Sequence, residues 1–362
     1  MRDQLPAVQG TVHMNTGTSG PMPQAAIDAI RRSVDQNAEP RITRTYFESL
    51  LGGRDIARAA AGRAVGAPPE EIALTTSTTL GIGLVMSGLD WREGDEILTT
   101  TEEHPGILSP LDVLRQRYGV VPRFVDAADV ADAVNDRTRM VAVSHVLWTT
   151  GRTLDLQPIA DAVHAVGGLL LIDGAQSAGN IAVDVNATGA DAYAFSGQKW
   201  LLGPLGSGAL WVSPELTQRI WPVTSGYLNL EGGEIGKFKT TAGRLDGGSN
   251  DPATVAGFTA ALEWVEGLPG GRARWGEQIG SNAAAARERL AEVPGLELGL
   301  DSGNGLIAFT VAGHEDTAGL AGLLAERGVL VRFIPHTPWI RASIGAWTTP
   351  DDVEALAAAL PE

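Results

Sequence analysis

Residues 167–177 read "GGLLLIDGAQS": two glycines, four consecutive apolar residues, then an aspartate. An apolar run without alternation is the pattern of a strand covered on both faces, as in a parallel sheet packed between helices. In such sheets chemistry gathers where strands end at their carboxyl edge. This strand delivers Asp173 to that edge, with Gln176 three residues on. Working outward, further strand-like runs are "EIALTT" (71–76), "DEILTT" (95–100), "VVPRFVD" (120–126), "RMVAVSHV" (139–146), "DAYAFS" (191–196) and "SGALWVS" (207–213). Helical patterns lie between them. One is "DLQPIADAVHAVG" (155–167), with Leu156, Ile159, Val163 and Val166 at helical spacing. The alternation predicts a large, mostly parallel seven-stranded α/β domain over residues 15–254.

Beyond it the pattern changes. Helical "PATVAGFTAALEWVEGL" (252–268) and "SNAAAARERLAEV" (281–293) precede strand-like "GLIAFTV" (305–311) and "GVLVRFI" (328–334), which flank helical "DTAGLAGLLAERG" (316–328). Thr349–Pro350 offers an N-cap followed by proline at the first helical position. Residues 255–362, with the segment 1–14 beside them, are expected to form a smaller α+β domain.

The chain has 362 residues, 44% hydrophobic and 19% charged, an ordinary balance for a globular enzyme. Its 27 basic and 43 acidic residues give a net charge of −16. That argues against nucleic acid or an anionic membrane as partner. No apolar run reaches bilayer length and the first residues lack a signal-peptide core, so a cytoplasmic protein is expected. There is no cysteine, which excludes disulfides, thiolate nucleophiles and cysteine-bound metals.

Three strand ends carry the candidate chemistry. Asp173 and Gln176 follow one strand; Ser196 and Lys199 follow "DAYAF", in "FSGQKWLLGPLGSG" (195–208). "EIALTT" runs into the hydroxyls Ser77, Thr78 and Thr79 and then a helix carrying Gly81 and Gly83. Singly, each has a plain reading as a turn former, a solvated lysine or a helix cap. Together they suit pyridoxal phosphate (PLP). A lysine amine forms a Schiff base with this cofactor, an aspartate keeps its pyridine nitrogen protonated, and its phosphate takes hydroxyls and helix N-terminal N–H groups.

The spacing of "LLIDGAQS" and the lysine 26 residues after its aspartate resembles the class V aminotransferase family of fold type I PLP enzymes. The resemblance runs from "NTGTSGPMP" near the start to "IRASIGAWTT" near the end. It implies that Lys199 is the Schiff-base lysine, Asp173 the partner of the pyridine nitrogen and Gln176 that of the ring hydroxyl. By the same resemblance His104 is expected to stack on the ring face, and Thr78, Thr79 and Ser196 to hold the phosphate. Arg341, in "IRASIG", grips the substrate carboxylate, as a guanidinium's parallel donors allow. "RLDGGSN" resembles a signature whose last hydroxyl, here Ser249, reaches the phosphate bound by a neighbouring subunit, so a homodimer with shared sites is implied. Two departures stand out: Gln198 precedes the lysine where the family often has histidine, a replacement still able to bond phosphate, and Trp148 stands where many members have asparagine.

The cofactor supports several reactions, and the missing cysteine does part of the choosing. Persulfide-forming desulfurases need a mobile cysteine, which this chain lacks. A C–S lyase needs none: Lys199 removes the Cα proton and the β-sulfur leaves. "EEHPGILSPL" and "SHVLWTTGRTLDL" resemble the cystine lyase branch. The expectation is therefore β-elimination from cystine or another cysteine S-conjugate. An aminotransferase or epimerase on a specialised amino acid, and a non-catalytic scaffold, are the alternatives. Arg41, Arg44, Tyr46 and Tyr227 are candidates for a second polar contact to substrate, or equally surface and interface residues.

Overall fold

The structure, a computed structural model, describes residues 1–38, 43–246 and 248–361. Seven strands form the main sheet: β2 (Ile72–Thr75), β3 (Glu96–Thr100), β4 (Val121–Val125), β5 (Thr138–Ser144), β6 (Leu169–Asp173), β7 (Ala192–Ser196) and β8 (Gly208–Val212). They lie where the sequence pattern puts them. Their order is β2-β8-β7-β6-β5-β3-β4, and β8 alone runs antiparallel to its neighbours.

Both faces of this sheet are buried, which is why its strands read as unbroken apolar runs. Val141, Val143, Leu170, Ile172 and Phe195 point to one face, against α2 (Arg44–Val65) and α5 (Leu156–Ala165). Met140, Ala142, Leu169, Leu171 and Ala194 point to the other, against α3 (Thr78–Ser87) and α4 (Pro105–Tyr118). Gly81 lets α3 sit close: a Cβ there would lie 2.9 Å from that of Ala194, whereas one at Gly83 would meet nothing. Of the four expected apolar positions on α5, Leu156, Ile159 and Val163 are buried, and Val166 lies just past the helix end.

A second sheet follows the order β12-β13-β10-β9, from β9 (Leu296–Leu298), β10 (Leu306–Val311), β12 (Arg332–Phe333) and β13 (Ile340–Ser343). The run expected as one strand over 328–334 is split: β11 (Val329–Leu330) leaves to pair with β1 (Val12–His13). Ile307, Phe309, Ile340 and Ala342 pack under α8 (Gly271–Leu290), α9 (Thr317–Glu326) and α10 (Pro350–Ala359). Helix α8 begins ten residues before the expected "SNAAAARERLAEV". Helix α10 has Thr349 as N-cap and Pro350 at its start, in a capping box with Asp352. Helix α7 (Pro252–Glu266) spans the expected division at 254/255, and its Phe258 and Leu262 join the core of the large sheet. It packs on α1 (Gln24–Asp35) and α2; the short α6 (Pro214–Arg219) follows β8. Among the described residues no helix is long and apolar enough to cross a membrane.

One buried ionic cluster fastens the loop after β8 to this frame. The carboxylate of Asp246 accepts from Arg54 (2.8 Å) and Arg58 (2.6 Å), one turn apart on α2, and from the Leu74 amide (3.0 Å) of β2. Asp246 and Arg54 are buried. Removing the shared acceptor strands charges away from water, a loss larger than the net worth of the pairs. Asp246→Ala is expected to destabilise the fold by about 3–5 kcal/mol in denaturant unfolding.

Candidate active site

Five parallel strands end at one edge, and their loops meet there. β2 leads into Ser77, whose hydroxyl caps α3 by accepting from the Leu80 amide (3.1 Å). β3 leads to His104, which caps α4: Pro105 follows it, and its Nδ1 accepts from the Gly106 amide (2.9 Å). β5 leads to Trp148, β6 ends in Asp173, and β7 leads to Lys199. From the small sheet come Arg332 and Arg341. The turn at 15–20 closes the remaining side. These loops enclose a cavity of about 290 Å3 lined by Thr78, Thr79, His104, Asp173, Gln176, Ser196, Gln198, Lys199 and Arg341, with Arg332 and Trp148.

Nine of the ten site residues expected from the sequence therefore share one cavity. Ser249 does not: it stands outside, with its hydroxyl 3.3 Å from that of the exposed Tyr227. The further substrate candidates are also elsewhere. Arg44 is exposed and pairs with Glu48 along α2, Tyr46 lines a separate groove between α1, α2 and α7, and Arg41 lies outside the described residues.

Electrostatics give these groups their character. Lys199 is half-buried, and desolvation lowers its pKa to about 8 against the opposing pull of Asp173. Burial raises the pKa of Asp173, although Lys199 and the Ala175 amide (2.8 Å) hold its charged form. His104 is pushed down to about 4 by burial and then by the Lys199, Arg341 and Arg332 charges, so it is neutral at pH 7. With Nδ1 accepting, its proton sits on Nε2. Thr78 donates its amide to the Ser196 hydroxyl (3.1 Å), and the two hydroxyls lie 2.6 Å apart at the N-terminus of α3. Such a terminus favours an anion.

Arg341 is buried, and its Nη1 donates to the Trp148 carbonyl. Its Nε has no partner, which leaves the Nε–Nη2 edge for a ligand carboxylate. Gly17 lies against that edge; a Cβ there would come within 2.6 Å of Nη2. Gln176 donates to the Gly17 carbonyl (2.8 Å) and accepts from the Trp200 indole (2.9 Å). One of its two amide protons stays available for the ring hydroxyl that the resemblance assigns to it.

Sequence reasoning passed over three contributors. Arg332 is the lone charge inside apolar "GVLVRFI", a signal in itself, and it stands directly opposite Arg341 in the β12–β13 register. Gly17 lies in "NTGTSG", where nothing local marks it. Glu103, next to His104, is buried and accepts from the Thr100 hydroxyl (3.0 Å) and the Ser144 amide (3.0 Å). Desolvation raises its pKa to about 7, and the nearby Asp173 charge adds to the rise.

The residues fit PLP. A buried carboxyl suits a ring N–H, an amine of lowered pKa stands across from it, and hydroxyls gather at a helix N-terminus. Three cavity-wall atoms, Gln198 Oε1, Trp148 Nε1 and Arg341 Nε, are buried without protein partners. This constellation defines a PLP-dependent enzyme of fold type I, and the chain belongs to the class-V aminotransferase family, whose model matches residues 13–356. It is 29% identical to the cysteine desulfurase CsdA of Escherichia coli (strain K12), over 98% of this chain and 94% of that protein. It is 30% identical to the isopenicillin N epimerase of Amycolatopsis lactamdurans, over 100% of this chain and 97% of that one. Among solved structures, the cystine C–S lyase C-DES in complex with its reaction product cysteine persulfide superposes with a TM-score of 0.93. That match has 27% identity and covers 98% of each chain.

Glu103 yields a pH-dependent test. Its folded pKa of about 7 exceeds its ordinary 4.5, so the folded chain binds this proton more tightly than the unfolded one. Stability is therefore lost as pH rises from the ordinary value to the folded one. Against Glu103→Gln, the wild-type chain should lose up to about 3 kcal/mol across that window and stay level outside it, read by urea unfolding.

Proposed function

We propose that this chain is a PLP-dependent carbon–sulfur lyase that β-eliminates from L-cystine or a related cysteine S-conjugate. One observation carries the choice of substrate: Arg332 and Arg341 face each other across two paired strands at the wall of one cavity. Like charges directly opposite on a sheet repel, and neither makes an ion pair with a carboxylate among the described residues. An anionic ligand relieves that repulsion. Cystine carries two carboxylates, one for each guanidinium, where a simple amino acid offers one.

The cofactor, when bound, supplies the electron-accepting ring that acidifies the substrate Cα–H. Asp173 would hold the proton on the pyridine nitrogen, and Thr78, Thr79, Ser196 and Gln198 would receive the phosphate. Arg341 fixes the α-carboxylate through its Nε–Nη2 edge. Lys199 Nζ, whose pKa lies near neutrality, takes the Cα proton as general base. Neutral His104 would wall the ring face without adding charge. As the Cβ–S bond breaks, its electron pair leaves on sulfur. Cystine and water thus give pyruvate, ammonia and cysteine persulfide. The chain has no cysteine to accept sulfur, so the sulfur product is released rather than carried on the protein.

The epimerase relative favours a second reading, inversion at Cα with the side chain retained. A homodimer is part of the proposal. Ser249 lies outside its own cavity on a loop anchored by Asp246, a placement that suits a contact to the neighbouring subunit's phosphate.

Incubation with L-cystine should yield pyruvate stoichiometric with ammonia. Inverted amino acid, or a keto acid appearing only with a second amino acid, overturns the lyase reading. Arg332→Leu should raise KM for L-cystine by about tenfold or more while leaving S-methylcysteine, with its single carboxylate, little changed. Purified protein should absorb in the near-visible range after PLP reconstitution, and Lys199→Ala should lose that band.

A further inference from the structure

One donor in the cavity wall has no role in the chemistry above. The indole Nε1 of Trp148 is buried and has no hydrogen-bond partner among the described residues. Most buried indoles find an acceptor, because hiding an unpaired N–H costs free energy. Elsewhere in this chain Trp91 donates to the Met86 carbonyl (2.6 Å), Trp200 to Gln176 (2.9 Å) and Trp211 to Glu71 (2.8 Å). Trp347 is the other buried indole lacking one, and it belongs to the apolar cluster of Leu5, Val8 and Trp275 rather than to the cavity. Trp148 instead lines the cavity itself.

Its position is held from two sides. The ring meets the His104 imidazole edge-on, with centroids 5.2 Å apart and planes at 90°. Its main-chain carbonyl accepts from Arg341 Nη1. Both neighbours line the same cavity, so the indole stands beside the groups to which the proposed function gives the cofactor ring and the substrate carboxylate. An indole can only donate, which restricts its partner to an acceptor. The cationic surroundings of Lys199, Arg332 and Arg341 make an anionic oxygen the fitting one.

We propose that Trp148 is a ligand-binding residue whose indole N–H donates to an anionic oxygen of the bound cofactor or of the amino acid. This rests on the reading of the cavity as a PLP and amino-acid site. The two sources of that oxygen are separated by experiment.

Trp148→Phe keeps the ring against His104 and removes the donor. The wild-type chain is first titrated with PLP; absence of a near-visible band there would sink the functional reading, not this one. If the acceptor belongs to the cofactor, the variant shifts the band or its pH midpoint before any substrate is added, and weakens PLP binding about tenfold. If it belongs to the amino acid, the band is unmoved and KM for L-cystine rises about tenfold with kcat little changed. Band, PLP affinity and KM all within about twofold of wild type would overturn the proposal. Should the phenylalanine variant not fold, the wild-type chain reports directly through its nine tryptophans. The indole N–H resonance missing from Trp148→His should move downfield when PLP or L-cystine binds, and a resonance that stays in place with both refutes the assignment.

Discussion

The carboxamide of Gln176 stands at the junction of the parts that make this site. Its oxygen receives the Trp200 indole, beside the lysine; its nitrogen holds the Gly17 carbonyl, on the turn against which Arg341 lies. Gln176 itself follows the strand that ends in Asp173. Lysine, aspartate and arginine thus belong to three separate parts of the chain, a loop after β7, the end of β6 and strand β13, that one buried side chain ties together. Two bonds to buried partners fix its orientation, so the distances between these groups are set before any ligand arrives.

That arrangement explains why a cation stands where the chain turns inward after β7. Lys199 is flanked by an anchor: Trp200 is buried among Leu5, Leu202, Ile279 and Trp347. The apolar neighbour draws the loop down, and the lysine is carried with it to the cavity. Burial then lowers its proton affinity while Asp173 partly restores it. The protein is strongly acidic overall, yet Lys199, Arg332 and Arg341 converge at this one point. A local positive potential inside an anionic molecule selects ligands by contact rather than by long-range attraction.

The large sheet was legible because its strands are buried on both faces and each ends in residues unlike its interior. Asp173, Ser196 and Lys199 could be placed at one edge on that basis alone. Arg341 and His104 needed the family resemblance, since an arginine in a four-residue strand and a histidine before a proline carry no local sign of a site. Arg332, Glu103 and Gly17 escaped for a different reason. Their meaning lies in what stands opposite them: Arg341 across a strand register, Ser144 on the neighbouring strand, and a guanidinium more than three hundred residues away. The split of β11 from β12 was likewise invisible, because β11 pairs with the first strand of the chain.

The turn at 15–20 has a consequence for how the molecule comes into being. Its hydrogen bonds reach the Gln198 carbonyl through Gly20, and both the Ser343 amide and hydroxyl through Met14 and Gly17. This segment therefore waits for a partner made more than three hundred residues later. The large sheet can pair progressively as it emerges, but the wall facing Arg341 cannot close until β13 exists. During that interval the segment has no partner to lie against, and the pocket behind it stays open. Completion of the cavity is in this sense an event that follows the making of the second sheet rather than the first.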